Sequence, residues 1–150
     1  MQKSREAWVI DASVAAKWYL RDESLTPQAD SVWKEIEGGR ISGLAPHIAC
    51  HELASSLSTA CWSGRITKEN AQRELANYIG TGLSAAADPD WLISDTASIA
   101  MDLRVALYDS VYLAMARRLS AKFVTADERL CNAVTKNFAF VTYLGNISVP

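Results

Sequence analysis

The chain has 150 residues, the length of one compact domain with a continuous core and too short for two ordinary ones. Hydrophobic residues make up 49% and charged residues 21%, a balance that excludes global disorder and a membrane-embedded bundle. The formal net charge of -2 and an isoelectric point near 5.7 exclude the broad basic footprint of proteins that hold nucleic acid by bulk electrostatics. Clustered carboxylates, however, lower the net charge by themselves, and divalent cations bound to them reverse the local sign, so a nucleic-acid partner stays open.

No apolar run approaches the ~18 residues of a membrane span, and the opening Met1 to Glu6 is polar and charged. The expected compartment is therefore the cytoplasm. Cys50, Cys61 and Cys131 are odd in number, widely spaced and set in apolar surroundings, the pattern of buried reduced thiols, with no zinc-ligand spacing among them.

In chain order, Ala7 to Ile10 is a short β-type run ending at Asp11, and Val14 to Leu20 switches to a helical pattern. Thr26 and Pro27 start a helix with Ala29, Val32, Trp33 and Ile36 on one face, stopped by Gly38 and Gly39. A strand follows over Ile41 to Ala45. A helix then begins at Pro46, with Ile48, Leu53, Ser56 and Leu57 on one side, and runs to about Trp62. Thr67 caps the next helix, through Asn70 to Ile79, closed by Gly80 and Gly82. After a long loop, Asp95 and Thr96 open a helix to about Ala106, and a break near Tyr108 precedes a helix over Asp109 to Ser120. Lys122 to Thr125 is a strand, about Glu128 to Thr135 a helix, and Phe140 to Tyr143 the last strand. Short strands alternating with helices define the α/β class, a parallel sheet covered by helices on both faces. Ligands of such sheets gather at the carboxyl ends of the strands.

Asp11 and Asp127 follow β-type runs closely enough to share that edge. Glu52 lies one turn into an otherwise apolar and small-residue helix, and Asp109 opens a helix continuing Val111-Tyr112-Leu113-Ala114-Met115. Each acid has a plain alternative role. Asp109 and Asp127 suit helix N-caps, Glu52 suits a solvent-facing helix position, and Asp11 suits a cap that Ser13 serves equally well. A shared cation site accounts for all four together. Two carboxylates 4 Å apart near a surface repel by about 4 kcal/mol, so a positive partner is required. Oxygen ligands suit Mg2+ or Mn2+, which activate water and neutralise charge on a phosphate.

Other arrangements fail. His47 and His51 have the i, i+4 spacing of zinc ligands, and His51-Glu52 begins the zinc-protease pattern, but Ser55 stands where the second His is required. Gly80 and Gly82 are not followed by the Lys and Ser/Thr of a phosphate-cradling loop. Asp11-Ala12-Ser13 is close to the start of an aspartyl-phosphate enzyme but has Ser13 in place of the second Asp. Trp18, Trp33, Trp62 and Trp91 sit in apolar helical stripes and read as core or partner interface. Lys17, Arg21, Arg104 and Arg129 fall near the expected carboxyl edge, where phosphate contacts and plain solvated surface are both open readings.

Four contexts together resemble a PIN domain: Val9-Ile10-Asp11-Ala12-Ser13-Val14, His51-Glu52-Leu53, Tyr108-Asp109-Ser110-Val111-Tyr112-Leu113-Ala114 and Thr125-Ala126-Asp127-Glu128-Arg129-Leu130. Within that family they are most similar to VapC-like toxins, the ribonuclease halves of bacterial and archaeal toxin-antitoxin pairs. The resemblance runs from about Trp8 to Tyr143, and Trp62 to Thr67 is similar to the family's turn between two middle helices. It implies a parallel sheet between helices, and an acidic quartet of Asp11, Glu52, Asp109 and Asp127 that binds Mg2+ or Mn2+, supported by Ser13 and Thr125. It further implies hydrolysis of an RNA phosphodiester by a water that the metal activates, leaving a 5'-phosphate and a 3'-hydroxyl. Because clustering raises the proton affinity of the carboxylates and metal lowers it again, activity is expected to fall in acid. It also implies a homodimer and a small antitoxin protein lying in a groove, which apolar surface around Trp18, Tyr19, Ala29 and Trp33 would supply, often with an Arg against the acids. His51 departs from the small or amide residue that often precedes the acid of this helix. The competing readings are a non-catalytic α/β interaction module with a degenerate fold and an aspartyl-phosphate hydrolase or transferase.

Overall fold

A computed structural model describes residues 5–150. Four strands, β1 (Glu6–Ile10), β2 (Ile41–Leu44), β3 (Lys122–Thr125) and β4 (Val141–Tyr143), form one sheet in the order β2-β1-β3-β4. Every pairing is parallel. The crossovers are helical: α1 (Ala12–Tyr19) and α2 (Thr26–Glu37) lie between β1 and β2, and α3 (Ile48–Trp62), α4 (Lys68–Gly80), α5 (Asp90–Leu103) and α6 (Leu107–Arg118) between β2 and β3. Helix α7 (Glu128–Val134) leads from β3 to β4.

Alternation along the two central strands sends side chains to both faces of the sheet. On one face Val9, Phe123 and Val141 pack with Leu53 and Leu57 of α3, Leu92 and Ile99 of α5, and Tyr112 to Ala116 of α6. On the other, Trp8, Ile10 and Val124 pack with Val14 of α1, Ala29 and Val32 of α2, and Leu144. Helices thus cover both faces, giving the three-layer α/β architecture expected from the alternation of elements. Among the described residues no helix is long and apolar enough to cross a membrane.

Several boundaries differ from the sequence reading. Helix α1 begins at Ala12, because Asp11 itself is its N-cap, in extended conformation with its side chain accepting from the Ser13 N–H. Pro46 and His47 precede α3, which begins at Ile48. Helix α5 begins at Asp90, five residues before the expected start, with extended Pro89 as its N-cap and Asp90 as the acid of its first turn. Asp95 is therefore inside that helix, where it pairs with Arg118 at 3.0 Å. The break between α5 and α6 falls at Arg104, in the left-handed region at φ 53°, and α6 starts at Leu107 after extended Ala106. Asp109 is consequently in the first turn of α6 and is not its cap. The last strand begins at Val141, and β2 ends at Leu44 with Ala45 making one parallel bridge to Ser84. That bridge ties the loop after α4 to the sheet edge, through Ala45 N–H donating to Leu83 O at 2.8 Å and Ala85 N–H to Ala45 O at 3.0 Å.

Trp18 and Trp33 are half-buried against each other, ring centroids 5.2 Å apart, and the Arg118 guanidinium lies over Trp91. Trp62 is 83% exposed, contrary to its expected place in an apolar stripe, because it stands at the last turn of α3 where the chain leaves the core. All three cysteines are free. Only Cys131 is buried, while Cys50 and Cys61 are partly exposed, since both lie on the flank of α3 rather than on its Ala49-Leu53-Leu57-Ala60 core stripe.

Candidate active site

The parallel sheet places the ends of β1 and β3 side by side, Ile10 opposite Val124. Asp11 follows the first directly, its N–H donating to Val124 O at 3.0 Å, and Asp127 lies two residues beyond the second. A network of short side chains fixes this edge. Thr125, fully buried, donates its hydroxyl to Asp11 Oδ2 at 2.6 Å, and the same Oγ1 accepts from the Asp127 N–H at 3.0 Å. Ser13 Oγ accepts from the Ala126 N–H at 3.0 Å, and the Ser13 N–H donates to Asp11 Oδ1 at 3.3 Å. The two hydroxyl residues therefore clamp the β1 and β3 turns together and set the Asp11 carboxylate. Asp127 caps α7, its Oδ1 accepting from the Leu130 N–H at 3.0 Å, so the cap reading of this residue holds for one oxygen.

Glu52 is partly buried, not solvent-facing, and its Oε2 accepts from the Tyr112 hydroxyl at 2.7 Å. Asp109, in the first turn of α6, is half-buried. Asp11, Glu52 and Asp109 lie within electrostatic reach of one another, and Asp127 within reach of Asp109. Burial pushes the Asp11 carboxyl up, against the hydrogen bonds from Thr125 and Ser13 that hold it down, and Asp109 adds to the rise. Glu52 is raised to about 7, mainly by burial, opposed by the Tyr112 hydroxyl and reinforced by Asp11 and Asp109. Asp109 is raised by burial and by Asp127, with Arg129 pulling the other way. Asp11, Glu52 and Asp109 thus act on one another at the carboxyl edge of the sheet, and Asp127 joins them through Asp109 and through the Thr125 hydroxyl it shares with Asp11.

Among the described residues, no Lys, Arg or His makes an ion pair with any of the four acids. Lys17 and Arg21, on the sequence's short roster of basic residues near this edge, are engaged elsewhere: Lys17 is buried against Glu23 at 3.3 Å, and Arg21 grips both oxygens of Asp30 at 2.7 and 2.8 Å. Arg104 and Arg129 are exposed. Buried and partly buried carboxylates of this kind offer the oxygen donors that hard divalent cations take. Among the described residues no three His, Cys, Asp or Glu side chains close into a preformed cage, a condition compatible with Mg2+, which keeps several waters and takes one or two carboxylates directly.

The two histidines stay outside the cluster's hydrogen bonds. Their rings meet edge to face at 5.2 Å, His47 Nδ1 lies 3.0 Å from Ala85 O, and His51 is exposed. Sequence reasoning named Tyr112 only within the motif after Asp109 and gave it no role in the site. Its spacing of three from Asp109 puts the two on one face of α6, and that spacing was the available signal.

Thr125→Val keeps the buried shape and deletes the hydroxyl that serves two acids. It is expected to destabilise the fold by about 1–3 kcal/mol, measured as a lower urea midpoint at unchanged slope, because the Asp127 N–H and one Asp11 oxygen lose their partner.

With this geometry in hand, comparison with known proteins places the chain. A family model, the PIN domain, matches residues 8–136, and the chain belongs to the PIN domain family. PIN domains are typically nucleases. The structure of PAE2754 from Pyrobaculum aerophilum is similar, with a TM-score of 0.64 at 18% identity over 85% of this chain and 84% of that one. A toxin-antitoxin complex from Klebsiella pneumoniae is similar with a TM-score of 0.63 at 10% identity, over 91% of this chain and 96% of that one. No curated protein matches the chain in sequence.

Proposed function

We propose that this chain is one PIN domain acting as a divalent-metal-dependent endoribonuclease, the VapC-like toxin of a toxin-antitoxin pair. The observation that carries the reading is the gathering of Asp11, Glu52, Asp109 and Asp127 at the carboxyl edge of a parallel sheet, where, among the described residues, none of them makes an ion pair. Asp11 and Asp109 would hold Mg2+ or Mn2+ directly, with Asp127 and Glu52 completing the site directly or through water. Bound there, the cation supplies an activated water and offsets charge developing on the phosphate. Thr125 and Ser13 keep Asp11 in place, and the Asp127 cap bond leaves its second oxygen free for the site. Water adds to phosphorus and the bond to O3' breaks, leaving a 5'-phosphate and a 3'-hydroxyl.

The partner reading rests on a different surface. Trp18, Tyr19, Asp30 and Trp33 line a cavity of about 260 Å³ between α1 and α2, suited to a short apolar segment of a small antitoxin protein. Ala29, also expected on that surface, is fully buried beneath it and accepts the Trp18 indole N–H at 2.8 Å instead. Exposed Ile93 and Met101 on α5, with Leu107 and Tyr108 at the start of α6, offer apolar surface for a homodimer. Three unbridged cysteines and an RNA substrate suit the cytoplasm.

The test is incubation of the purified protein with a panel of structured RNAs in Mn2+ or Mg2+, beside an EDTA control. Cleavage that leaves 5'-phosphates and stops in EDTA supports the proposal. Silence on all RNAs, with no metal binding, favours the non-catalytic interaction module.

A further inference from the structure

We infer that Tyr112 is a positioning residue of the acidic site, orienting the Glu52 carboxylate through a hydroxyl that is itself anchored on the turn presenting Asp11. The inference rests on the metal-site reading above. Tyr112 is 1% exposed, and its ring stacks on Phe123 of β3 with centroids 5.4 Å apart and planes 14° from parallel. That packing aims the hydroxyl at two groups far away in sequence. It donates to Glu52 Oε2 at 2.7 Å and accepts from the Ala12 N–H at 3.3 Å.

A phenol has one proton, so the donor to Glu52 has only lone pairs left for Ala12. Ala12 is the first residue of α1, whose N–H has no partner within its own helix, and it directly follows Asp11. Tyr112 itself lies one turn after Asp109 on α6. One oxygen therefore joins the turn that presents Asp11, the helix that presents Glu52 and the helix that presents Asp109. The bond to Oε2 fixes the rotation of the Glu52 carboxylate and leaves Oε1 without a hydrogen-bond donor among the described residues, the oxygen best placed to face a cation directly or through a bridging water. Supporting hydrogen bonds of this kind orient metal-binding carboxylates, and losing one weakens metal affinity about 10–100-fold.

Tyr112→Phe keeps the stacked ring and removes the bridge. Mn2+ titration calorimetry of the RNA-free protein is the readout, with a melting curve of each variant alongside. The expected result is Mn2+ binding weakened about 10-fold in Tyr112→Phe, with the same substitution changing it less than about 2-fold in a Glu52→Ala background, as required if the hydroxyl acts through Glu52. Equal losses in both backgrounds, or none in the first, overturn the inference while Asp11→Asn still weakens binding. Unchanged binding in Asp11→Asn and Glu52→Ala overturns the metal-site reading itself and this inference with it. A second measurement leaves Tyr112 in place: in protein carrying 13Cζ-labelled tyrosine, Mg2+ is expected to shift the Tyr112 resonance in the wild type and not in Glu52→Ala. A shift of equal size in both contradicts the coupling.

Discussion

Asp11→Asn is expected to lower RNA cleavage by at least about 10²–10³-fold, the usual loss when one preorganised electrostatic group of an active site is removed. The substitution is nearly isosteric, and its amide oxygen still accepts one of the two bonds the carboxylate accepts, from the Thr125 hydroxyl or the Ser13 N–H. Losing the charge also removes a burial cost, which offsets the loss of the other bond. The fold is therefore expected to survive, so the loss reads as chemistry. Asp11 is 8% exposed and has no counter-charge, so the carboxylate is an expense to the metal-free fold that its neutral replacement removes. Steady-state cleavage beside a melting curve separates the effects: activity falls steeply while the metal-free melting temperature above neutral pH stays level or rises. A variant that melts far below the wild type would show Asp11 to be a structural cap first.

The second large effect is that of metal on stability, and it depends on pH. Glu52 carries its proton up to about 7 in the folded protein, against an ordinary 4.5 in the unfolded chain. Between these values the folded state binds a proton that the unfolded state does not. The stabilisation associated with that proton is thus complete near pH 4.5 and lost as the pH rises through about 7. Asp11 and Asp109, also raised, act in the same direction. The metal-free protein should lose stability from this cluster between about pH 5 and 8, and Glu52→Gln should recover on the order of 1–2 kcal/mol of it at pH 8. Mn2+ reverses the trend, since it binds the deprotonated acids. At about 100 times its dissociation constant it adds about 2.7 kcal/mol, or about 5–10 °C in melting temperature for a chain of this length. At pH 5.5 the same Mn2+ concentration is expected to give a much smaller shift. Melting curves at both pH values, with and without Mn2+, check this. Equal shifts at the two would place the bound ion away from the acids.

The sequence displayed the architecture through alternation alone: short β-type runs separated by helical periods require a parallel sheet, and the strand-end positions of Asp11 and Asp127 require a common edge. Their convergence with Glu52 and Asp109 was legible only through the resemblance, because a helix face says nothing about which strand end it meets. Where the reading failed, tertiary contacts decided the outcome. Asp109 looked like a cap because Arg104 in the left-handed region, an uncommon conformation for a side-chain-bearing residue, ends α5 early enough for α6 to start two residues before Asp109. Lys17 and Arg21 looked available for phosphate because Glu23 and Asp30 become their partners only when the turn between α1 and α2 folds back. The spacing from Asp109 put Tyr112 on the same helix face, but its role stayed hidden for the same reason, its hydroxyl partners lying 60 and 100 residues away.

The central claim, that these carboxylates form one divalent-cation site, is tested most directly by Mn2+ binding followed by electron paramagnetic resonance at pH 8 in the wild type, Asp11→Asn and Asp109→Asn. Saturable binding by the wild type, weakened at least about 10-fold in each variant, is the result this account predicts. Binding that both variants retain unchanged, or a wild type that binds no Mn2+, would contradict it.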